Sequence, residues 1–170
     1  AGDSIVCVSR FGDIEAKQDL SFVRSPTTRV KDAARIAYQI TNRDKAPHKI
    51  GLRLVLDTML GANDGAPLRT GDRAIDQATR LSGAELPAYW QAFDSLSQPT
   101  VIAQGTLRAP GLTPPDRLEM VDWGTFADAS WDFPFPAGAD FTRQGEAEQD
   151  TAVALYWEPA ILAPGETRIY

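Results

Sequence analysis

The chain has 170 residues, a length that fits one domain with a sizeable core. Its 17 Lys and Arg against 23 Asp and Glu leave a net charge of −6, which excludes general attraction to phosphate backbones or anionic lipid, while 43% hydrophobic and 24% charged residues is the composition of a folded domain. One Cys excludes an intramolecular disulfide, and one Cys with one His excludes zinc sites built from several such ligands.

The hydrophobic pattern has a period of two along most of the chain. Residues 4–8 and 19–23 read as short strands, with Cys7 in the first as a small buried apolar residue. Ala34, Ile36, Tyr38 and Ile40 alternate with polar or small neighbours. After a polar stretch, Ile50, Leu52, Leu54 and Leu56 alternate with Lys49, Arg53 and Asp57 around them. These two runs are expected to form an antiparallel hairpin with a long loop. Residues 61–98 hold no clear strand, and two short helices are expected there, over 73–81 and over 87–93, the second with Pro87 at its first position. Further strands are expected at 100–107, 117–122, 151–157 and 166–170.

Twelve Pro and 13 Gly, spread along the chain, punctuate these short strands. The expected fold is therefore all-β: an enlarged antiparallel β-sandwich with long loops and at most one or two short helices, forming a single domain over residues 1–170. No apolar run approaches the ~20 residues that span a bilayer. The chain begins Ala1-Gly2-Asp3-Ser4 and stops within the expected strand 166–170, so the domain is expected to be processed out of, or excised from, a longer exported protein.

Two local patterns carry a resemblance. Ile36-Ala37-Tyr38-Gln39-Ile40-Thr41-Asn42-Arg43-Asp44-Lys45-Ala46-Pro47 resembles the strand ending in Thr-Asn and the polar turn found early in bacterial extracytoplasmic immunoglobulin-like β-sandwich modules. Leu162-Ala163-Pro164-Gly165-Glu166-Thr167 is similar to the Pro-Gly-Glu turn that precedes a late strand in them; Pro164 presets φ and Gly165 supplies the positive φ that follows. The chain is longer than the ~100 residues of a minimal module of that kind, and an enlarged supersandwich of the galactose-mutarotase-like type accommodates the excess architecturally. The resemblance implies an exported location (periplasm, cell surface or secreted).

Three constellations carry candidate chemistry. Asp57 with Asn63 and Asp64 places oxygen-bearing side chains at a strand end, a set suited to Ca²⁺; Asn63-Asp64-Gly65 is equally a turn signal. Tyr89, Trp90, Trp123, Trp131 and Asp132 make an aromatic set that can stack on sugar rings or fill a core. Paired carboxylates for glycoside hydrolysis are offered by Asp122 beside Trp123 and Asp132 beside Trp131. His48 opens a strand with no nucleophile elbow near it, and no glycine-rich phosphate loop is present.

The functional expectation is a noncatalytic binding module of the cell envelope, acting in protein assembly, adhesion or ligand binding. Its partner is another envelope protein or a glycan, with no catalytic residues and no cofactor other than the candidate Ca²⁺. The alternative is a carbohydrate-binding or carbohydrate-active domain.

Overall fold

The computed structural model describes residues 4–25, 28–141 and 150–170. The strands are β1 (Ser4–Phe11), β2 (Ile14–Val23), β3 (Ala33–Asn42), β4 (His48–Asp57), β5 (Leu68–Thr70) and β6 (Arg73–Ile75), followed by β7 (Thr79–Ser82), β8 (Tyr89–Phe93), β9 (Ile102–Thr106), β10 (Arg117–Asp122), β11 (Thr151–Leu162) and β12 (Thr167–Ile169). A 3₁₀ turn at Gly83–Glu85 and the short helix α1 (Trp123–Ala127) are the helical segments among the described residues. The fold is all-β and antiparallel, as the alternating pattern predicts.

The chain divides into two compact units, Ala1–Ile50 with Pro159–Tyr170, and Gly51–Glu158. The first contains the sheet β1-β2-β3-β12. Gly12, at φ +60, opens the two-residue turn between β1 and β2, and the ladder runs from Phe11↔Ile14 to Ser4↔Ser21. Gly at the first central position is the requirement of a type II′ turn, whose twist matches that of the strands it joins. Asn42 ends β3 and fixes the corner after it: its side-chain amide donates to the Ala46 and Leu162 carbonyls at 2.8 and 2.9 Å, and its Oδ1 accepts the Asp44 N–H. Gly165 adopts φ +75, as the Pro-Gly turn requires.

The second unit holds the core. Its sheets are β4-β11-β10-β7 and β6-β5-β8-β9. Leu118 and Met120 of β10 and Val153 of β11 join Leu68, Ile75, Trp90 and Ala92 of the other sheet in one apolar cluster. The other row of the central strands is buried as well. Trp131 packs edge-on against Tyr156, and Arg80 lies over the Phe135 ring. Within this row Glu119 is 0% exposed and accepts a hydrogen bond from Arg80 Nε at 2.6 Å. Burial on both sides explains why residues 151–157 are nearly continuous in apolar character, whereas β10 keeps Glu119 in its buried row by pairing it with Arg80.

Four sequence expectations are corrected. The hairpin joining the runs 34–40 and 50–56 does not form: β3 pairs with β2 and β12, whereas β4 pairs with β11. The polar stretch between them is a corner stitched by Asn42. In place of the helices over 73–81 and 87–93 stand β6 and the start of β7, in two different sheets, and β8, because pieces this short cannot satisfy helical backbone groups alone and the sheets supply partners. Residues 61–98 therefore hold β5 to β8. Cys7 is exposed, since β1 is an edge strand with every residue exposed.

Candidate metal centre

β4 ends at Asp57, whose Oδ1 accepts the Met59 N–H at 3.0 Å and turns the chain. Thr58 is buried, its hydroxyl donating to the Thr151 carbonyl at 2.7 Å. The chain then reverses over Gly61, at φ +61, with Leu60 and Asn63 exchanging both backbone hydrogen bonds at 2.9 and 3.0 Å. That reversal delivers Asp64, whose carbonyl accepts the Thr151 N–H at 3.1 Å. Thr151 opens β11, and its hydroxyl donates to the Ala66 carbonyl at 2.8 Å. Asp150 precedes it, held by the Trp123 N–H at 2.6 Å to its carbonyl. The buried Thr58 and Thr151 thus fasten a strand end, a loop and a strand start to each other.

The result is a convergence of carboxylates. Ligand oxygens of Asp57, Asp64 and Asp150 all lie within 4.8 Å of one another. Asp150 Oδ1 is buried and, among the described residues, has no hydrogen-bond partner. Burial, and then the charges of Asp64, Asp57 and Asp122, push the Asp150 carboxyl up to about 6. Like charges crowded against a partly desolvated carboxylate repel; a divalent cation between them relieves both costs. Three carboxylates on a strand end, a loop and a strand start match the oxygen-rich, flexible coordination of Ca²⁺, with waters completing its shell.

Of the expected Ca²⁺ residues, Asp57 and Asp64 meet. Asn63 is turned to another task, its side-chain amide donating to the Asp94 carbonyl at 2.9 Å. Asp150 is the residue that local spacing does not supply, because its neighbour Thr151 reaches Asp64 across 87 positions of chain. The available signal is its place immediately before the expected strand 151–157, mirroring Asp57 at the end of another.

The aromatic set does not gather at one surface. Trp90 is 5% exposed, with its indole against Gly105 of the neighbouring strand β9. Trp131 and Trp123 are partly buried and pack against the core cluster. Tyr89 and Asp132 are exposed. Asp122 stands near Asp150 and raises its pKa. His48 bonds the Asp44 carboxylate through Nε2 at 2.6 Å.

No protein-family model matches the chain, and neither a curated protein nor a solved structure matches it.

Proposed function

We propose that this chain is a noncatalytic β-sandwich module of an exported bacterial protein, mediating assembly, adhesion or ligand binding at the cell envelope, and that Asp57, Asp64 and Asp150 hold a Ca²⁺ ion that locks its larger unit. The observation that carries the cation reading is the convergence of three carboxylates, one of which, Asp150, holds a buried oxygen with no hydrogen-bond partner among the described residues. The reading accords with export: extracellular modules bind Ca²⁺ with dissociation constants of about 10⁻⁴ to 10⁻³ M, in the range that few protein carboxylates plus water provide. The cation acts here as a clamp on the loop 58–66 and the start of β11, and the surfaces that meet partners are shaped by that clamp.

Titration of the EDTA-treated chain with CaCl₂, followed by calorimetry and thermal melting, tests the site. Binding of one ion is expected. At a hundredfold excess over the dissociation constant it adds about 2.7 kcal/mol, or roughly 5–10 °C in midpoint for a chain of this size. Asp150→Asn and Asp64→Asn are expected to abolish the heat and the shift, and Mg²⁺, which dehydrates reluctantly, is expected to bind more weakly. An unchanged midpoint and no heat with saturating CaCl₂ overturn the Ca²⁺ reading. A glycan array run beside a pull-down from envelope extract tests the partner class, and retention of a glycan with no envelope protein shifts the assignment to carbohydrate binding.

A further inference from the structure

The antiparallel sheet of the smaller unit ends in a strand, β1, whose outer edge pairs with no other strand among the described residues. β1 is eight residues long and exposed throughout, with Ile5 at 63%, Val8 at 57% and Phe11 at 71% exposure. Among the described residues, β2 is its sole strand partner. Natural edge strands are blunted by charge, proline, bulges or shortness. β1 has no Pro and no carboxylate, and its single charge, Arg10, is paired to Glu15 at 3.2 Å.

The hairpin fixes which backbone groups face outward. A two-residue turn closes on a hydrogen-bonded pair, here Phe11 and Ile14, so residues 5, 7, 9 and 11 spend their N–H and C=O groups on β2. The Arg43 N–H donates to the Asp13 carbonyl at 2.8 Å, which confirms that odd positions of this strand bond toward β3 and even ones toward β1. The outward groups on β1 are therefore those of Ser4, Val6, Val8 and Arg10.

We infer that a second copy of this chain docks on this edge, β1 against β1 and antiparallel about a two-fold axis at Cys7. An axis perpendicular to the sheet pairs even residues with even and odd with odd. Centring on Cys7 sets Val6 against Val8 and Ser4 against Arg10 of the second copy, and so satisfies all four outward-facing residues. Centring one residue further on, at Val8, strands Ser4 opposite the turn at Gly12. The charges agree: in a chain of net −6 the two copies approach through a strand that carries no acid, so the contact meets no direct carboxylate repulsion. The two sheets become one of eight strands, and Val6, Val8 and Ile5 gain cross-strand neighbours. Closed two-fold pairing also ends the edge, so the assembly stops at a dimer.

Cys7 is the reporter. Two Cys7 residues facing each other in a non-hydrogen-bonded pair have Cα atoms ~4.5 Å apart, within disulfide range. Sedimentation across a dilution series is expected to give a reversible dimer. Glutathione disulfide, accepting the two electrons, is expected to link the copies through Cys7 faster than it links a Cys7→Ser, Phe22→Cys variant, whose exposed thiol lies on β2. Val6→Pro removes an outward N–H and no bond of the β1–β2 ladder, so it is expected to keep its circular dichroism and lose the dimer. Val8→Lys, which leaves the backbone unchanged, is expected to lose the dimer as well. A monomer at every concentration overturns the inference and leaves the edge to a strand of a different protein. A dimer that survives both edge variants, or links equally well through residue 22, overturns the assignment to β1.

Discussion

The Thr58 hydroxyl donates to the Thr151 carbonyl at 2.7 Å, and the two hydroxyl oxygens lie equally close, so the end of β4 is tied to the start of β11 inside the protein. Both threonines are buried, at 5% and 1% exposure. The three acids of the candidate Ca²⁺ site lie on the segments this pair fastens, which makes the hydroxyls part of the site without touching a ligand.

Thr58→Val keeps the shape and deletes the donor. The Thr151 carbonyl retains the Thr58 N–H at 3.1 Å, so a loss of about 1–2 kcal/mol is expected in urea unfolding. Calcium affinity, read by calorimetry, is expected to weaken at the same time, and Thr58→Ser is expected to recover both. Full affinity in a destabilised Thr58→Val protein would separate the pair from the site.

Gly105 faces Trp90 across the β8–β9 ladder. A Cβ at that position would stand 2.6 Å from Trp90 Cζ2 and closer still to the indole nitrogen, far inside van der Waals contact. Gly105→Ala is expected to cost about 1–3 kcal/mol by displacing a buried indole, with a shifted tryptophan emission spectrum. An unchanged midpoint would mean that the strand ladder yields more easily than core packing allows.

Glu119 accepts from Arg80 at 2.6 Å and stands 3.5 Å from Arg117, with no exposed surface of its own. Glu119→Gln removes the counter-charge of Arg80, while Arg117 keeps Glu158 at 3.5 Å, and is expected to destabilise by about 3 kcal/mol. The same change has a spectroscopic readout. Burial first, then the Glu119 charge, push the Tyr156 phenol up to about 12, so removing the charge is expected to lower its ultraviolet titration midpoint. Since the folded chain holds this proton after the unfolded chain has released it near 10, the phenol's contribution to stability is lost as pH rises from about 10 to about 12.

Asp94 contributes on the acid side. The Thr100 hydroxyl, followed by the Val101 N–H, holds its carboxyl down at about 2, below the ordinary value of an aspartate. Its contribution to stability is present above the unfolded value and disappears as pH falls from about 4 toward 2. Asp94→Asn is therefore expected to lower the urea midpoint at pH 6 and to make little difference at pH 2. A deficit of equal size at both pH values would show that the lost geometry, and not the charge, carries the effect.

Much of the β-architecture is legible in the chain itself. The alternation at Ile50, Leu52, Leu54 and Leu56, the nearly unbroken apolar start of β11, and the Pro164-Gly165 turn are local patterns, and each forms where the pattern requires. Gly12 likewise marks its turn because a positive φ is a property of the residue and its neighbours alone. Asp57 and Asp64 are recognisable as a pair for the same reason, being close in sequence at a strand end.

Pairing and environment were decided only in three dimensions. Residues 73–75 and 89–93 have too few positions to declare a period, and the neighbouring strands made them strands. Nothing local distinguishes a buried Trp90 from an exposed one, and Gly105 on the adjacent strand settles it. Asp150 joins Asp57 and Asp64 because β11 lies beside β4 in the sheet, a pairing of segments distant in the chain. Backbone conformation and alternation are short-range and are written in neighbouring residues. Strand order and converging carboxylates depend on which distant segments share backbone hydrogen bonds and a core, and that is fixed by burial of the whole chain.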